Sequence, residues 1–244
     1  MTVVAGAATP EPRSTGSSPA AVIGLLGGSF DPIHLGHLQL ARDALAQLSL
    51  TQVRFIPAGR PWQKGPLSDA AHRAAMVLAA IRDEPRFALD RREVDRPGPT
   101  YTIDTLRELR RAEGDRTSLV LIMGSDQFER LDTWRDWQRL LDYAHIAVAR
   151  RADAVLTPGY ALQEYFNAHW ARPPAVREAS RGRIVEVAMK PVAASATGIR
   201  TLLAQPPDPS RDDRLAEVVP PQVLDYIRAH QLYRPHPTDS TAGR

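Results

Sequence analysis

Short apolar runs that alternate with helical segments limit this chain more than any other feature. The runs Ala21–Leu26, Val53–Pro57, Leu119–Met123, Ile146–Ala149 and Ile184–Ala188 are each short enough to be a strand buried on both faces. Between them, Leu38, Ala41, Leu45 and Leu48 recur at helical spacing, and His72–Ile81, Thr102–Arg111, Thr197–Ala204 and Pro221–His230 read as helices. Phe87–Val94 is polar at alternate residues and reads as a strand near an edge. Strands that alternate with helices predict an α/β fold. The expected form is a Rossmann-like doubly wound parallel sheet with a small C-terminal helical part. Ligands of such sheets bind beyond the carboxyl ends of the strands.

The termini differ from this pattern. Residues 1–19 are rich in Pro, Ser, Gly and Ala without periodicity and read as a disordered tail, as do residues 235–244. Residues 20–234 are then one domain. The N-terminus has neither a basic start nor a continuous apolar core, and no apolar run reaches the ~20 residues that span a bilayer. A cytoplasmic protein is expected, with no membrane partner. There are no cysteines, which excludes a disulfide scaffold, a thiolate zinc site and a cysteine nucleophile. The net charge of +3 suits anionic substrates, but the basic residues are scattered, so no nucleic-acid tract is indicated.

The first strand runs into Gly27-Gly28-Ser29-Phe30-Asp31-Pro32-Ile33-His34-Leu35-Gly36-His37. Two glycines directly after a strand admit a close approach that a Cβ would block. The amides at the start of the following helix attract phosphate. His34 and His37 are three apart and share a face, with Gly36 leaving room between them. Two imidazoles and several amides can thus meet one phosphate group. A metal-binding histidine pair is the alternative, but no third ligand lies nearby. Neither the Gly-x-Gly-x-x-Gly fingerprint nor a Gly-Lys-Ser/Thr loop is present. Near the other end, Ser195-Ala196-Thr197-Gly198-Ile199-Arg200 opens a helix after the Ile184–Ala188 strand. Ser195 is a good N-cap. Its hydroxyl, that of Thr197, the helix amides and Arg200 can all meet an anion; an ordinary capped helix with a surface arginine is the alternative.

The Gly27–His37 segment resembles the signature of the HxGH nucleotidyltransferases, in particular the bacterial nicotinate-nucleotide adenylyltransferases. The resemblance extends from about Ile23 to Arg234. It implies that His34 and His37 contact ATP phosphates, with His37 nearest the reacting α-phosphate. Gly27, Gly28, Ser29 and Phe30 would line the ATP site. The Ser-x-Thr-x-Ile-Arg element, here Ser195, Thr197, Ile199 and Arg200, would hold the β- and γ-phosphates. Lys64, in Arg60-Pro61-Trp62-Gln63-Lys64, matches a family lysine, while Gln63 stands where the family usually has histidine. Thr100, Tyr101 and Thr102 start a helix with spare donors; the resemblance assigns such a Tyr-Thr element to the pyridine ring and its carboxylate. Asp126, after the Leu119–Met123 strand, is suited to accept from a ribose. Trp134 and Trp137 lie three apart on an expected helix; the resemblance gives Trp134 to the nicotinate ring and leaves Trp137 to the core. Arg150 and Arg151 end a strand, facing phosphate or water. His72, His145, His169 and His230 are read as structural.

The implied activity is adenylyl transfer from ATP to nicotinate mononucleotide. Mg²⁺ would be held mainly by substrate phosphates, so no protein metal ligands are assigned. Oligomeric state stays open. A phosphopantetheine adenylyltransferase of the same superfamily and a catalytically dead nucleotide-binding regulator are the competing readings. The Tyr-Thr and Thr-Trp elements argue against the first, and the intact His34, His37, Ser195 and Arg200 against the second.

Overall fold

The computed structural model describes residues 21–60, 67–151 and 157–234. The expected terminal tails, Gln63 and Lys64 lie outside those residues. Six strands form one parallel sheet: β1 (Val22–Gly28), β2 (Gln52–Pro57), β3 (Phe87–Leu89), β4 (Ser118–Gly124), β5 (His145–Arg151) and β6 (Ile184–Met189). Their spatial order is β3-β2-β1-β4-β5-β6. Chain progression therefore reverses between β1 and β4, which opens a crevice at their carboxyl ends. Helices α1 (Leu35–Gln47), α2 (Ala70–Ile81) and α3 (Thr102–Glu113) follow β1, β2 and β3; α4 (Ser125–Phe128) and α5 (Tyr160–Phe166) follow β4 and β5. Three helices, α6 (Ala196–Leu203), α7 (Pro209–Ala216) and α8 (Pro221–Ala229), make the C-terminal part.

The sheet is continuous-apolar because both faces are covered. Leu26, Val53, Phe55, Val120 and Ala147 pack with α1, α2 and α8 residues on one side; Leu25, Leu121, Ile146 and Val148 pack with Ile103, Leu106 and Phe166 on the other. The exposed edge of β6 is blunted by Gln47, whose side-chain amide donates to the Ala188 carbonyl at 2.7 Å and accepts from its N–H at 2.9 Å.

Two buried arginines pin loops to this frame. Arg110 donates to the carbonyls of Gly114, Thr117, Tyr143 and Ser180. Arg73, 1% exposed, donates to those of Ser29, Gly59 and Ser68 at 2.8–2.9 Å. Arg73 thus ties the turns after β1 and β2 together at the crevice.

The edge strand β3 is shorter than the expected Phe87–Val94. Asp90 ends it by accepting from the Arg92 amide and guanidinium, so the chain turns where its polar alternation suggested extension. The expected helix through Trp134 and Trp137 is also corrected. Leu131–Thr133 and Trp137–Asp142 are separate 3₁₀ turns, Trp134 between them is extended, and Asp136 is left-handed at φ 50°. That break sends the two indoles apart.

Candidate active site

The sheet reversal brings the motifs to one crevice. His34 is the N-cap of α1 and His37 its third residue; the rings stack with centroids 3.8 Å apart. His37 Nδ1 accepts the His34 N–H at 3.2 Å, so the neutral His37 ring carries its proton on Nε2. The His37 amide approaches the His34 ring but bonds to the His34 carbonyl at 3.0 Å. Burial lowers the His34 pKa to about 4, leaving it neutral at pH 7. Gly36 is needed here: a Cβ on it would lie 3.0 Å from His34 Nδ1.

Phe30, at φ 49°, is 1% exposed, and its ring meets His37 edge-on at 5.0 Å. Its ring therefore supports His37 from the core. Gly28 makes room for that ring, whereas a Cβ on Gly27 would meet nothing within 4 Å.

At the other motif, Ser195 caps α6 as expected, accepting the Gly198 N–H at 3.1 Å. Arg200 Nη2 donates to Thr197 Oγ1 at 3.3 Å, and its Nη1 donates to the Asp31 carbonyl at 2.7 Å. That bond joins the two motifs. Ile199 is 2% exposed and its N–H is bonded to the Ser195 carbonyl, so this residue packs the helix onto the core.

On the opposite side of β1 a cavity is lined by Gly27, Gly28, Thr100, Tyr101, Thr102, Trp134 and neighbours from β2 and β4. The start of α3 borders it, and Tyr101 supplies no side-chain cap. Amides of that first turn are thus available to an anion. Asp126 is exposed, with its carboxylate against Gly124, and the next residue, Gln127, lines the cavity. Trp137 packs on Tyr165 and Phe166, as core. Arg150 pairs with Glu186 of the neighbouring strand at 3.2 Å.

Three further cavity residues escaped the sequence reading. Arg135 lies with its guanidinium carbon 4.7 Å above the Tyr101 ring centre. Gln127 is the second. Glu93 is the third: burial raises its pKa, opposed by the Thr105 hydroxyl donating at 2.7 Å and by Arg96. The only signal for Arg135 was its place beside Trp134; Glu93 was concealed in the supposed edge strand.

Among the described residues, the buried side-chain atoms left without a hydrogen-bond partner are His34 Nδ1 and Thr100 Oγ1. Thr100 Oγ1 is close to the Glu93 carboxylate but meets no group at hydrogen-bond geometry. Orphaned polar atoms of this kind need an explanation; Thr100 lines the cavity, and His34 Nδ1 lies at the start of α1 beside the His37 amide. His145 and His169 are satisfied by main-chain groups, and His72 by the Tyr226 hydroxyl. No group of three or more His, Asp or Glu among the described residues could hold a metal, and no described helix is long and apolar enough to cross a membrane.

The sequence pattern of the cytidylyltransferase-like family matches residues 25–202. A Dechloromonas aromatica protein named as a probable nicotinate-nucleotide adenylyltransferase is 41% identical over 217 residues, covering 87% of this chain and 97% of its own. One of the same name from Bordetella petrii is 42% identical over 213 residues, covering 87% and 98%. In fold, the chain is similar to Plasmodium falciparum nicotinic acid mononucleotide adenylyltransferase complexed with NaAD, with a TM-score of 0.66 at 17% identity over 87% of this chain and 97% of that one. With these relatives matched over almost their whole length, the chain belongs to the nicotinate-nucleotide adenylyltransferase family of cytidylyltransferase-like proteins.

Proposed function

We infer that this chain transfers the adenylyl group of ATP to nicotinate mononucleotide, releasing pyrophosphate and forming nicotinate adenine dinucleotide, a step of NAD biosynthesis. The observation that carries the reading is the Arg200–Asp31 bond, which brings two phosphate-binding motifs 169 residues apart to one crevice. The acceptor's phosphate oxygen is already ionised at neutral pH, so the attack on the α-phosphate requires no general base. Catalysis then consists of alignment and charge stabilisation. His37 donates from Nε2 to the α-phosphate as charge builds there. His34, neutral, contributes hydrogen bonding without charge. Arg200, Ser195 and Thr197 meet the departing pyrophosphate, and Lys64 is assigned to the same phosphates.

Mg²⁺ prefers octahedral oxygen ligands. The imidazoles and hydroxyls here fit an ion that arrives on ATP phosphates, where it would neutralise phosphate charge. For the acceptor, the α3 start at Thr100–Thr102 suits a carboxylate, Trp134 offers a stacking face, and Asp126 is the candidate ribose acceptor. Arg135 adds a cation at the same cavity, which favours the acid over the amide.

Pyrophosphate release is to be measured with ATP and nicotinate mononucleotide, nicotinamide mononucleotide or 4′-phosphopantetheine. The highest kcat/KM is expected with the first. A preference for phosphopantetheine would move the chain to the rival reading, and no release with any acceptor would support a binding protein.

A further inference from the structure

Asp31 lies in the turn between β1 and α1, after the paired glycines and before His34, and is 2% exposed. A carboxylate so buried requires donors, and these come from distant parts of the chain. Oδ1 accepts from the Tyr233 hydroxyl at 2.6 Å, across 202 residues, and Oδ2 accepts from the Ser68 N–H at 3.3 Å. The carbonyl of the same residue accepts from Arg200. Tyr233 belongs to the strap that follows α8, where Gln231 and Tyr233 have φ of 54° and 63°. That region is costly for a bulky residue, so the strap's conformation depends on the contacts its side chains make. A second C-terminal contact, Leu35 N–H to the Val218 carbonyl at 2.9 Å, holds the far end of the turn. Between those anchors sits His34, stacked on His37, and directly before the first is Phe30, whose ring meets His37 edge-on.

Resting on the adenylyl-transfer reading, we propose that Tyr233 is a positioning residue: by holding the Asp31 carboxylate it fixes the turn that carries His34 and His37 and the carbonyl that Arg200 grips. Tyr233 does not act on substrate itself. Its effect falls on groups that must stand ~2.7–3.1 Å from the developing charge, so that a displacement of a few tenths of an ångström weakens them. Loosening them lowers kcat and leaves acceptor binding alone.

The test uses Tyr233→Phe, which removes only the hydroxyl, and Asp31→Ala, which removes both carboxylate oxygens and with them the acceptor of that hydroxyl. Displacing a supporting contact can cost up to ~100-fold in rate. Each variant is expected to lose about 10-fold in kcat, assayed well below its melting temperature, with the acceptor KM within twofold of the parent. The double variant is expected to lose little more than either single one, because both break the same contact. The ring resonances of His34 and His37 in ¹³C–¹H spectra read the turn without turnover. Both are expected to shift in either variant, while that of His145 stays in place. Unmoved histidine resonances, an unchanged kcat, or additive losses in the double variant would overturn the proposal. Lack of turnover by the parent would count against the substrate reading instead, and the resonances would still decide the role of Tyr233.

Discussion

Gly36→Ala should separate stability from activity. Gly36 lies in the first turn of α1 and has no positive φ, so alanine fits the backbone. Helix propensity alone favours alanine by up to about 1 kcal/mol. Against this, the new methyl would stand 3.0 Å from His34 Nδ1 and 3.1 Å from Cε1, about 0.4 Å inside ordinary contact. The ring has to yield by that much, and His37 stacked at 3.8 Å restricts where it can go. A donor to a developing oxyanion works at ~2.7–3.1 Å, so a shift of a few tenths of an ångström removes much of one bond. A loss of about 1.4 kcal/mol in the transition state is 10-fold in rate. The expected result is a melting temperature equal to or above that of the parent, with kcat down about 10-fold in pyrophosphate release. Unchanged kcat would show that the His34 ring has no part in catalysis. A large fall in melting temperature would show that the ring cannot yield, and the steric argument would be wrong in its sign for stability.

Gly27→Ala adds a methyl that meets no protein atom within 4 Å, so stability should hold while substrate KM rises several-fold; an unaltered KM would mean that no ligand approaches this strand end. Arg135→Gln removes a cation from the acceptor cavity. Such a charge is worth about 1 kcal/mol near a carboxylate in water, so the nicotinate-over-nicotinamide ratio of kcat/KM should fall about 5-fold, and an equal ratio in parent and variant would refute the assignment. His34 and His145 stay neutral in the fold down to about pH 4, whereas in the unfolded chain they protonate near 6.5. The unfolded state therefore binds more protons in that window, and their contribution to stability is complete above pH 6.5 and lost as pH falls towards 4. Urea midpoints at pH 7, 5.5 and 4.5 should show this slope, reduced by about half in His34→Gln; a variant with the parental slope would contradict the burial argument.

The parallel sheet was legible because its central strands are buried on both faces and so read as uninterrupted apolar runs, as Leu119–Met123 does. The glycine–histidine segment was legible for a related reason: phosphate binding at a strand end needs small residues and donors close together in sequence. Helix α7 gave no signal, since Asp212, Asp213 and Arg214 leave only Leu215 to bury and its position comes from packing beside α8. Trp134 and Trp137 misled because spacing cannot reveal a left-handed residue between them, and Asp136 supplies one without being glycine.

Arg73 and Asp31 were not singled out in the sequence because they have remote partners. Arg73 counts as a surface arginine until the turns after β1 and β2 converge on it, and Asp31 counts as one letter of a motif until Tyr233 arrives from the other end of the chain. A phosphate site made of local donors can be read locally. Holding those donors still requires contacts from separate elements, because a turn of glycine, serine and proline has too little of its own surface to bury. The same division explains the two orphaned atoms. His34 Nδ1, beside the His37 amide, and Thr100 Oγ1, in the wall of the cavity next to Glu93, belong to local motifs, whereas the long-range anchors Arg73, Arg110 and Tyr233 are bonded within the protein. The local motifs carry the candidate donors, and contacts from distant elements hold them in position.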